Sequence, residues 1–222
     1  MIAETRIIKI HGVNGSKPQQ EIIASPENEP GSKAIVVVVF ASPQGDEDNI
    51  LLWTVRERET KPMTEKVAGQ ISFIAETRKR GESPLYNLLG ALAEFSGDDR
   101  ILLNHLYVTQ NSYREGVVSI RKGEIPVDLA FLYYDGPMNG EVKPLDGIEV
   151  EGNGWLTIED IRSLHPGMVR NIVFQSININ EIEGIIPAII NGSKFPLSQV
   201  LAPEFSISAY NFHREQTEDL SF

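Results

Sequence analysis

The clearest pattern along this chain is a series of short apolar, β-branched runs separated by turn-forming residues. The strongest run, Lys33 to Phe40, lies between Gly-Ser and Ser-Pro dipeptides and predicts a central strand buried on both faces of a sheet. A second run, Asn49 to Arg56, follows a polar turn, so the two runs predict a β-hairpin. Further strands are predicted at 5–12, 101–109, 117–121 and 127–135. The stretch 13–30, rich in proline, glycine and asparagine, predicts turns and loop.

Helical spacing replaces the β pattern after Ser83-Pro84. The serine suits an N-cap, the proline suits the first helical position, and Gly97 suits a left-handed C-cap. Four leucines recur on one helical face: Leu85, Leu88, Leu89 and Leu92. At 100° per residue, Asn87, Ala91 and Glu94 fall on the opposite face. The segment therefore predicts one helix with an apolar stripe and a second, polar side.

The last third of the chain predicts a strand followed by helices. In the segment Trp155 to Leu164 a strand ends near the tryptophan and a short helix begins, with Thr157 as its N-cap. A final helix is predicted from Asn180 to Ile190, interrupted by Gly184 and Pro187.

Composition narrows the class of protein. The chain has 222 residues, 41% hydrophobic and 23% charged, which predicts one compact core. Its net charge of −11 disfavours binding to nucleic acid polymers, although a free nucleotide remains compatible with local cations. With no cysteine, the chain has no disulfide framework, thiolate zinc site or cysteine nucleophile.

The expected compartment is the cytoplasm. The absence of cysteine fits a reducing environment, and the N-terminus lacks a basic region followed by a long apolar run. The strongest apolar run is far shorter than the about 20 residues that span a bilayer. We therefore expect no membrane association.

The segment from Gly69 to Gly97 carries a motif with specific spacing. It partly matches the pattern of a glycine, five residues, a glutamate, seven residues, then Arg-Glu-aliphatic-x-Glu-Glu-x-Gly. When Gly81-Glu82-Ser83 sets the register, Glu82, Leu92, Glu94 and Gly97 match. This segment resembles the Nudix box, and the predicted elements over residues 33–165 come in the order found in Nudix proteins.

The resemblance implies an α/β fold, a Nudix-like α/β/α sandwich with a mixed central β-sheet. We expect an N-terminal strand and loop extension at 1–32 and a Nudix-like domain at 33–175. Residues 176–222 are then a C-terminal helical or irregular extension.

The box departs from the family pattern at the positions that carry its chemistry. Nudix enzymes cleave diphosphates with divalent cations held mainly by three helical glutamates at i, i+3 and i+4. Here those positions are Ala91, Glu94 and Phe95, so one carboxylate remains. The opening glycine is replaced by Glu76, and the arginine before the first glutamate by Gly90. The resemblance therefore implies Mg²⁺ or Mn²⁺ only if the protein is active.

Three interpretations of the remaining carboxylate stay open. Glu94 is a surviving metal ligand, or an ordinary solvated residue, or one member of a rebuilt site. In a rebuilt site Glu76, Glu82, Asp98 or Asp99 would supply replacement oxygens. Glu94 and Glu82 are accordingly the candidate catalytic residues, and Glu94, Glu82 and Glu76 are the candidate metal ligands.

Candidate ligand-binding residues flank the box. Arg56 and Arg58 follow the second strand, where Nudix proteins often carry an arginine near the substrate phosphates. Gln70, Ser72 and Glu76, which lie in the segment from Gly69 to the first position of the box, are the other candidate ligand-binding residues. Alternatively, the arginines are surface charges in the alternating run Arg56-Glu57-Arg58-Glu59, and the segment from Gly69 to Phe73 is a short buried strand. The polar segment at 111–115 is predicted to be a loop that either touches a ligand or caps a turn.

Our main hypothesis is a Nudix-like protein with a degenerate catalytic box. It would bind a nucleotide or other diphosphate-containing metabolite with little or no hydrolysis. The alternative is a divergent metal-dependent Nudix pyrophosphohydrolase acting on nucleoside diphosphate derivatives. A third class is a structural or partner-binding domain. The expected partner is a small nucleotide or phosphometabolite, and a homodimer remains an option.

Overall fold

The computed structural model describes residues 7–9, 21–23, 34–43, 49–62, 65–77, 87–88, 91–92, 104–120, 123–138 and 150–200. In chain order its strands are β1 (Ile7–Lys9), β2 (Glu21–Ile23), β3 (Ala34–Ala41), β4 (Leu51–Glu57), β5 (Ile71–Ser72), β6 (Ile74–Thr77), β7 (Leu106–Val108), β8 (Tyr113–Ile120), β9 (Gly123–Tyr134), β10 (Val150–Thr157) and β11 (Phe195–Pro196). Its helices are α1 (Ile158–Ser163), α2 (Asn171–Glu183), α3 (Ile185–Asn191) and α4 (Leu197–Val200), with a 3-10 turn at Pro166–Met168. Residues 87–88 and 91–92 are also helical and are called the box helix below.

Nine of these strands form one mixed sheet. The order across the sheet is β10-β4-β3-β9-β7-β11, with β5 beside β4, β6 beside β3 and β8 beside β9. The central pair, β3 and β9, is parallel, whereas the neighbouring pairs are antiparallel. β1 and β2 form a separate antiparallel pair. The predicted mixed central sheet is therefore confirmed, with β3 inside it as its β-branched sequence indicated.

β3 is buried on both faces of the sheet: its successive side chains point to opposite sides, and those from Ile35 to Ala41 are all buried. Ile35, Val37 and Val39 belong to one apolar cluster, which also contains Ala91 and Leu92 of the box helix and Leu197 of α4. The intervening residues of β3 belong to a second cluster with side chains from α1, α2 and α3. We call these sides the first and the second face. Helices thus cover both faces, as predicted for an α/β/α sandwich.

β3 and β4 separate after a short paired stretch, and the chain that enters the box fills the gap. β4 pairs with β3 only at Phe40 and Ala41. The amino-terminal half of β3 pairs instead with β6, and the end of β4 pairs with β5. The segment 71–77 is therefore held by two strands that have diverged from one another. Its position brings the start of the box to the centre of the sheet.

The predicted strand-to-helix transition after Trp155 is confirmed. Thr157 is the N-cap of α1: its hydroxyl accepts from the Asp160 amide at 3.0 Å, and the Thr157 amide donates to the Asp160 carboxylate at 3.0 Å. This reciprocal capping box satisfies amides that have no partner inside the helix. The hydrogen bonds from the Thr157 hydroxyl and amide lower the pKa of Asp160 below its ordinary value of 3.8.

We expect Thr157→Ala to cost about 1 kcal/mol of unfolding free energy at neutral pH, the usual loss for an N-cap hydroxyl. The pKa of Asp160 should rise towards its ordinary value, measured by NMR titration alongside urea unfolding. Because the folded-state pKa is lowered, the contribution of Asp160 is complete above the unfolded value and is lost as pH falls through the folded one. Ser163→Ala, at the other end of α1, should leave that pKa low. An unchanged Asp160 pKa in Thr157→Ala would contradict the capping role.

The final helical region begins earlier than its sequence suggests. α2 starts at Asn171, nine residues before the predicted Asn180. It therefore continues across the predicted boundary between the Nudix-like domain, 33–175, and the C-terminal extension, 176–222. Asparagine, glutamine and serine interrupt its apolar spacing, yet Ile172, Val173 and Ile177 are buried on the second face. The predicted interruption at Gly184 is present: this residue has a left-handed φ of 62° and separates α2 from α3. The interruption predicted at Pro187 was wrong, because Pro187 lies in the first turn of α3, where a proline is tolerated.

Two segments predicted to be loops contain strands. Glu21–Ile23 forms β2 inside the stretch 13–30 and pairs with β1. Tyr113, Arg114 and Glu115 belong to β8 and pair with β9. Polar side chains are tolerated in β8 because a strand exposed on one side needs apolar residues only on its inner face.

Candidate functional site

The structure describes five of the seven predicted site residues. Arg56 lies in β4 and exposed Arg58 just after it, Gln70 precedes β5, Ser72 lies in β5, and Glu76 lies in β6. Glu82 and Glu94 fall outside the described residues, as do Gly90, Phe95, Asp98 and Asp99. The described part of the candidate site consists of the strands that lead into the box and four residues of the box helix.

The box helix is buried over a wider arc than its leucine stripe predicted. Asn87 and Ala91, predicted on the opposite side from the leucines, are both 0% exposed, and Leu92 is also 0% exposed. Ala91 and Leu92 pack in the same apolar cluster. The expectation of a polar side at positions 87 and 91 was therefore wrong. Helical spacing shows which residues share a side, whereas burial depends on what packs against that side.

Glu57, the last residue of β4, lies in a buried ionic group. Its side chain is 2% exposed, and Arg170 Nη1 donates to Glu57 Oε1 at 2.8 Å. Lys66 Nζ lies 3.4 Å from Glu57 Oε2. Arg170 Nη1 also donates to Ser72 Oγ at 3.3 Å. We call Glu57, Lys66 and Arg170 the ion cluster.

The ion cluster lies on the first face, where the box helix packs. Residues directly opposite one another in an antiparallel pair share a side of the sheet. Glu57 is opposite Val150, and Ser72 is opposite Val55; both valines belong to the cluster on the first face. The same rule places Glu76 on the first face, because its partner in β3 is Ile35.

Two cations surround one carboxylate in the ion cluster. The side chains of Lys66 and Arg170 are 13% and 12% exposed, so solvent screens their charges little. Both cations also make further contacts within the protein. The contacts of Glu57 thus include two nearly buried cations.

Arg56 points to the opposite side from Glu57. It is opposite Glu151 in β10, and its Nη1 and Nη2 donate to the Gly69 carbonyl at 3.0 Å and to Asn153 Oδ1 at 2.7 Å. A bulge in β10 between Gly152 and Gly154, with a φ of 111° at Gly154, brings Asn153 within reach. These contacts join β4, β10 and the loop before β5.

Gln70 connects the same loop to the segment before α2. Its Oε1 accepts from the Val67 amide at 3.0 Å, and its Nε2 donates to the Gly167 carbonyl at 3.1 Å. The Arg170 amide donates to the Ile71 carbonyl at 2.9 Å. Gln70 and Ile71 are thus hydrogen-bonded to residues almost one hundred positions later in the chain.

Sequence reasoning missed Glu57, Lys66 and Arg170. Glu57 was included in a run of alternating charges that predicted a solvated surface. One signal was present: Trp53, Val55 and Glu57 are two apart, so they share a side of β4, and the first two are buried. Lys66 and Arg170 carry no such signal, since neither lies within a strand.

A second polar group occupies the carboxyl end of β9. His105 Nδ1 lies 3.0 Å from Asp135 Oδ1, and the Tyr107 side chain also hydrogen-bonds to Asp135. That hydrogen bond, followed by burial, raises the pKa of Tyr107. Burial and then the Asp135 charge raise the pKa values of Tyr133 and Tyr134. These phenols therefore remain protonated donors at neutral pH.

The described residues do not provide a ready metal centre. Among them, no three histidine, aspartate or glutamate side chains are grouped so that they could hold a metal ion.

Within the same part of the chain, no helix is long and apolar enough to span a membrane.

Comparisons with known proteins concern the fold. No family model matches the chain, and no curated protein matches it. The structure is similar to a Nudix hydrolase from M. smegmatis, RenU, with 15% identity and a TM-score of 0.44 over 70% of this chain and 88% of that one. It is similar to a C. elegans Ap4A hydrolase, with 11% identity and a TM-score of 0.42 over 68% of this chain and 98% of that one. The C-terminal domain of mouse MUTYH, solved with human PCNA, gives 17% identity and a TM-score of 0.39 over 67% and 88%.

Proposed function

We propose that this protein binds a nucleotide or another diphosphate-containing metabolite on the first face and hydrolyses it slowly or not at all. The observation that carries this proposal is the burial of Ala91. In the box pattern, position 91 is the first helical glutamate, but here it is a methyl group, 0% exposed and packed among apolar side chains. Its side chain offers no oxygen to a cation.

The remaining donors fit a divalent cation poorly. Mg²⁺ needs several oxygen ligands in near-octahedral geometry, and hydrolysis of a diphosphate needs cations to offset the phosphate charge. Ala91 and Phe95 supply no such ligand, which leaves Glu94 alone among the three helical positions. The three helical positions therefore offer a cation one carboxylate where the box pattern has three.

The ion cluster supports anion recognition on the same face. Arg170 and Lys66 bring two positive charges beside Glu57, and Ser72 lies beside Arg170. Guanidinium and ammonium groups are the usual donors to phosphate oxygens. We propose that this cluster sets the positive potential of the site. Gln70 would lie at its border, whereas Arg56 points to the other side of the sheet.

One observation favours the alternative of a divergent hydrolase. Glu76 is half-buried on β6 and lies on the first face, where a carboxylate next to the box helix could replace a missing ligand. In that case Glu76, Glu82 and Glu94 would hold Mg²⁺ or Mn²⁺, and Glu82 and Glu94 would be the catalytic residues. The substrate would be a nucleoside diphosphate derivative.

Ligand binding and hydrolysis can be measured on the same purified protein. We expect ADP, ADP-ribose or inorganic pyrophosphate to raise the melting temperature, because a ligand that binds only the folded state stabilises it. We expect no phosphate or nucleoside monophosphate release above background with Mg²⁺ or Mn²⁺. Arg162→Met, which removes an exposed charge on α1, should respond to the ligands as the wild type does.

Each other outcome supports a different class of protein. Turnover at ordinary enzymatic rates that Glu94→Gln abolishes would establish the divergent hydrolase. Turnover that persists in Glu94→Gln would place the chemistry on other residues. An unchanged melting temperature with all three compounds would leave a structural or partner-binding domain.

A further inference from the structure

Asn87 is a buried polar residue that the fold does not explain. Its side chain is 0% exposed, and neither its nitrogen nor its oxygen has a hydrogen-bond partner among the residues that the structure describes. An unsatisfied buried amide is costly, because it loses its hydrogen bonds to water without replacement. Such a group in a folded protein calls for a reason, and recognition of a ligand is one of them.

The position of Asn87 connects it to the box. It lies four residues before Ala91, so the two share one side of the box helix. Ala91 is buried in the cluster on the first face, where the ion cluster also lies. Asn87 is thus an uncharged polar group on the side of the helix from which the box pattern projects its functional groups.

The amide chemistry determines what Asn87 can recognise. It has one carbonyl acceptor and one amino donor side by side in a plane, and it carries no charge to offset a phosphate. The complementary partner is a planar edge with an adjacent donor and acceptor, such as a nucleobase, which asparagine can bind through two parallel hydrogen bonds.

We propose that Asn87 recognises the base of the bound nucleotide, donating one hydrogen bond to its edge and accepting one from it. This inference rests on the proposed function and narrows its ligand from any diphosphate-containing metabolite to a nucleotide. Because the amide is fully covered, the base reaches it only when the groups packed over Asn87 move aside. The base and the diphosphate are then recognised by separate groups, Asn87 and the ion cluster.

The experiment compares ADP with inorganic pyrophosphate, which has no base. Asn87→Leu in the full chain should weaken ADP binding about ten-fold or more, because both hydrogen bonds to the base are lost. Pyrophosphate binding should stay unchanged. Calorimetric titration measures both affinities, and melting temperature reports folding. Asn87→Ala gives the same comparison if leucine does not fit.

Ser176→Ala is the matched control. The Ser176 side chain is 1% exposed, its hydroxyl also lacks a partner within the described residues, and it lies in α2 rather than on the box helix. Both Asn87→Leu and Ser176→Ala should unfold at or above the wild-type temperature, since each removes an unsatisfied polar group. Only the first should lose affinity for ADP.

The failures of the two proposals are distinguishable. Equal ADP affinity in wild type and in folded Asn87 variants overturns the role of Asn87 but leaves the proposed function in place. Parallel loss of ADP and pyrophosphate binding in folded variants overturns the assignment to the base. A wild-type protein that binds neither compound overturns both proposals.

Discussion

Replacing Glu57 by glutamine is expected to lower the free energy of unfolding by about 3 to 5 kcal/mol, the range for removing one partner of a buried ion pair. The substitution keeps the shape of the side chain and removes its charge. Arg170 and Lys66 are then left nearly buried beside an uncharged amide, at 12% and 13% exposure. Urea unfolding at neutral pH, followed by circular dichroism, measures the difference.

Glu181→Gln provides the matched control for Glu57→Gln. It also removes one carboxylate from a pair with arginine, but Arg162 and Glu181 are 48% and 42% exposed. Solvent screens such a pair, so the expected change is below about 1 kcal/mol. Equal effects of the two substitutions would show that the ion cluster contributes no more than a surface ion pair. The cluster could then not be regarded as a rigid support for the strand that enters the box.

Ala91→Glu restores the first helical glutamate of the box pattern, yet we expect it to destabilise the protein and to add no hydrolysis. Ala91 is 0% exposed within an apolar cluster, so the new carboxylate is either buried without a partner or forces its surroundings apart. The expected loss of unfolding free energy is about 3 kcal/mol or more. Thermal unfolding and release of AMP from ADP-ribose with Mg²⁺ measure the two effects.

Ile182→Glu introduces the same side chain where space is available. Ile182 lies on α2 with 85% exposure, so the change in stability should stay within about 0.5 kcal/mol. If Ala91→Glu were as stable as Ile182→Glu and gained Mg²⁺-dependent turnover, position 91 would be accessible to a cation. The proposal that catalysis has been lost would then fail, and Glu76, Glu82 and Glu94 would be the remaining ligands to test.

The two substitutions examine different parts of the proposed site. Glu57→Gln tests whether the cations near Ser72 are held in place by a buried carboxylate, and Ala91→Glu tests whether the box helix still accepts a metal ligand. Binding without hydrolysis is favoured if Lys66 and Arg170 are held in place by Glu57 and if position 91 does not accept a metal-binding carboxylate. The two results are independent: the stability of Glu57→Gln says nothing about hydrolysis by Ala91→Glu, so either expectation can fail alone.

Local features of the sequence predicted a large part of the fold. The β-branched run ending at Phe40 is a buried central strand, and the strand, capping threonine and short helix after Trp155 are confirmed. Each depends on residues close together in the chain. The start of α2 was placed wrongly because its buried isoleucines are separated by polar residues that obscure the helical period. The strand Glu21–Ile23 was missed because its short run lies among turn-forming residues.

The candidate site could be predicted only in part. Ser72 and Glu76 were identified from the motif, and pairing with β3 and β4 places both on the first face. Glu57 was assigned to a charged surface run, although its two-residue spacing from buried Trp53 and Val55 indicated the opposite. Its partner Arg170 lies 113 residues away, a distance over which no local pattern operates.

The sequence by itself determined the local conformations: strands where β-branched residues follow one another, caps where hydroxyl and carboxylate groups lie three residues apart, and a break at Gly184. It also showed that Ala91 has no carboxylate to offer. Only the tertiary structure decided that Ala91 and Asn87 are enclosed and that Glu57 meets Arg170 and Lys66. Conformation near a residue depends on its neighbours in the chain, whereas burial and charge pairing depend on distant segments that the folded sheet brings together.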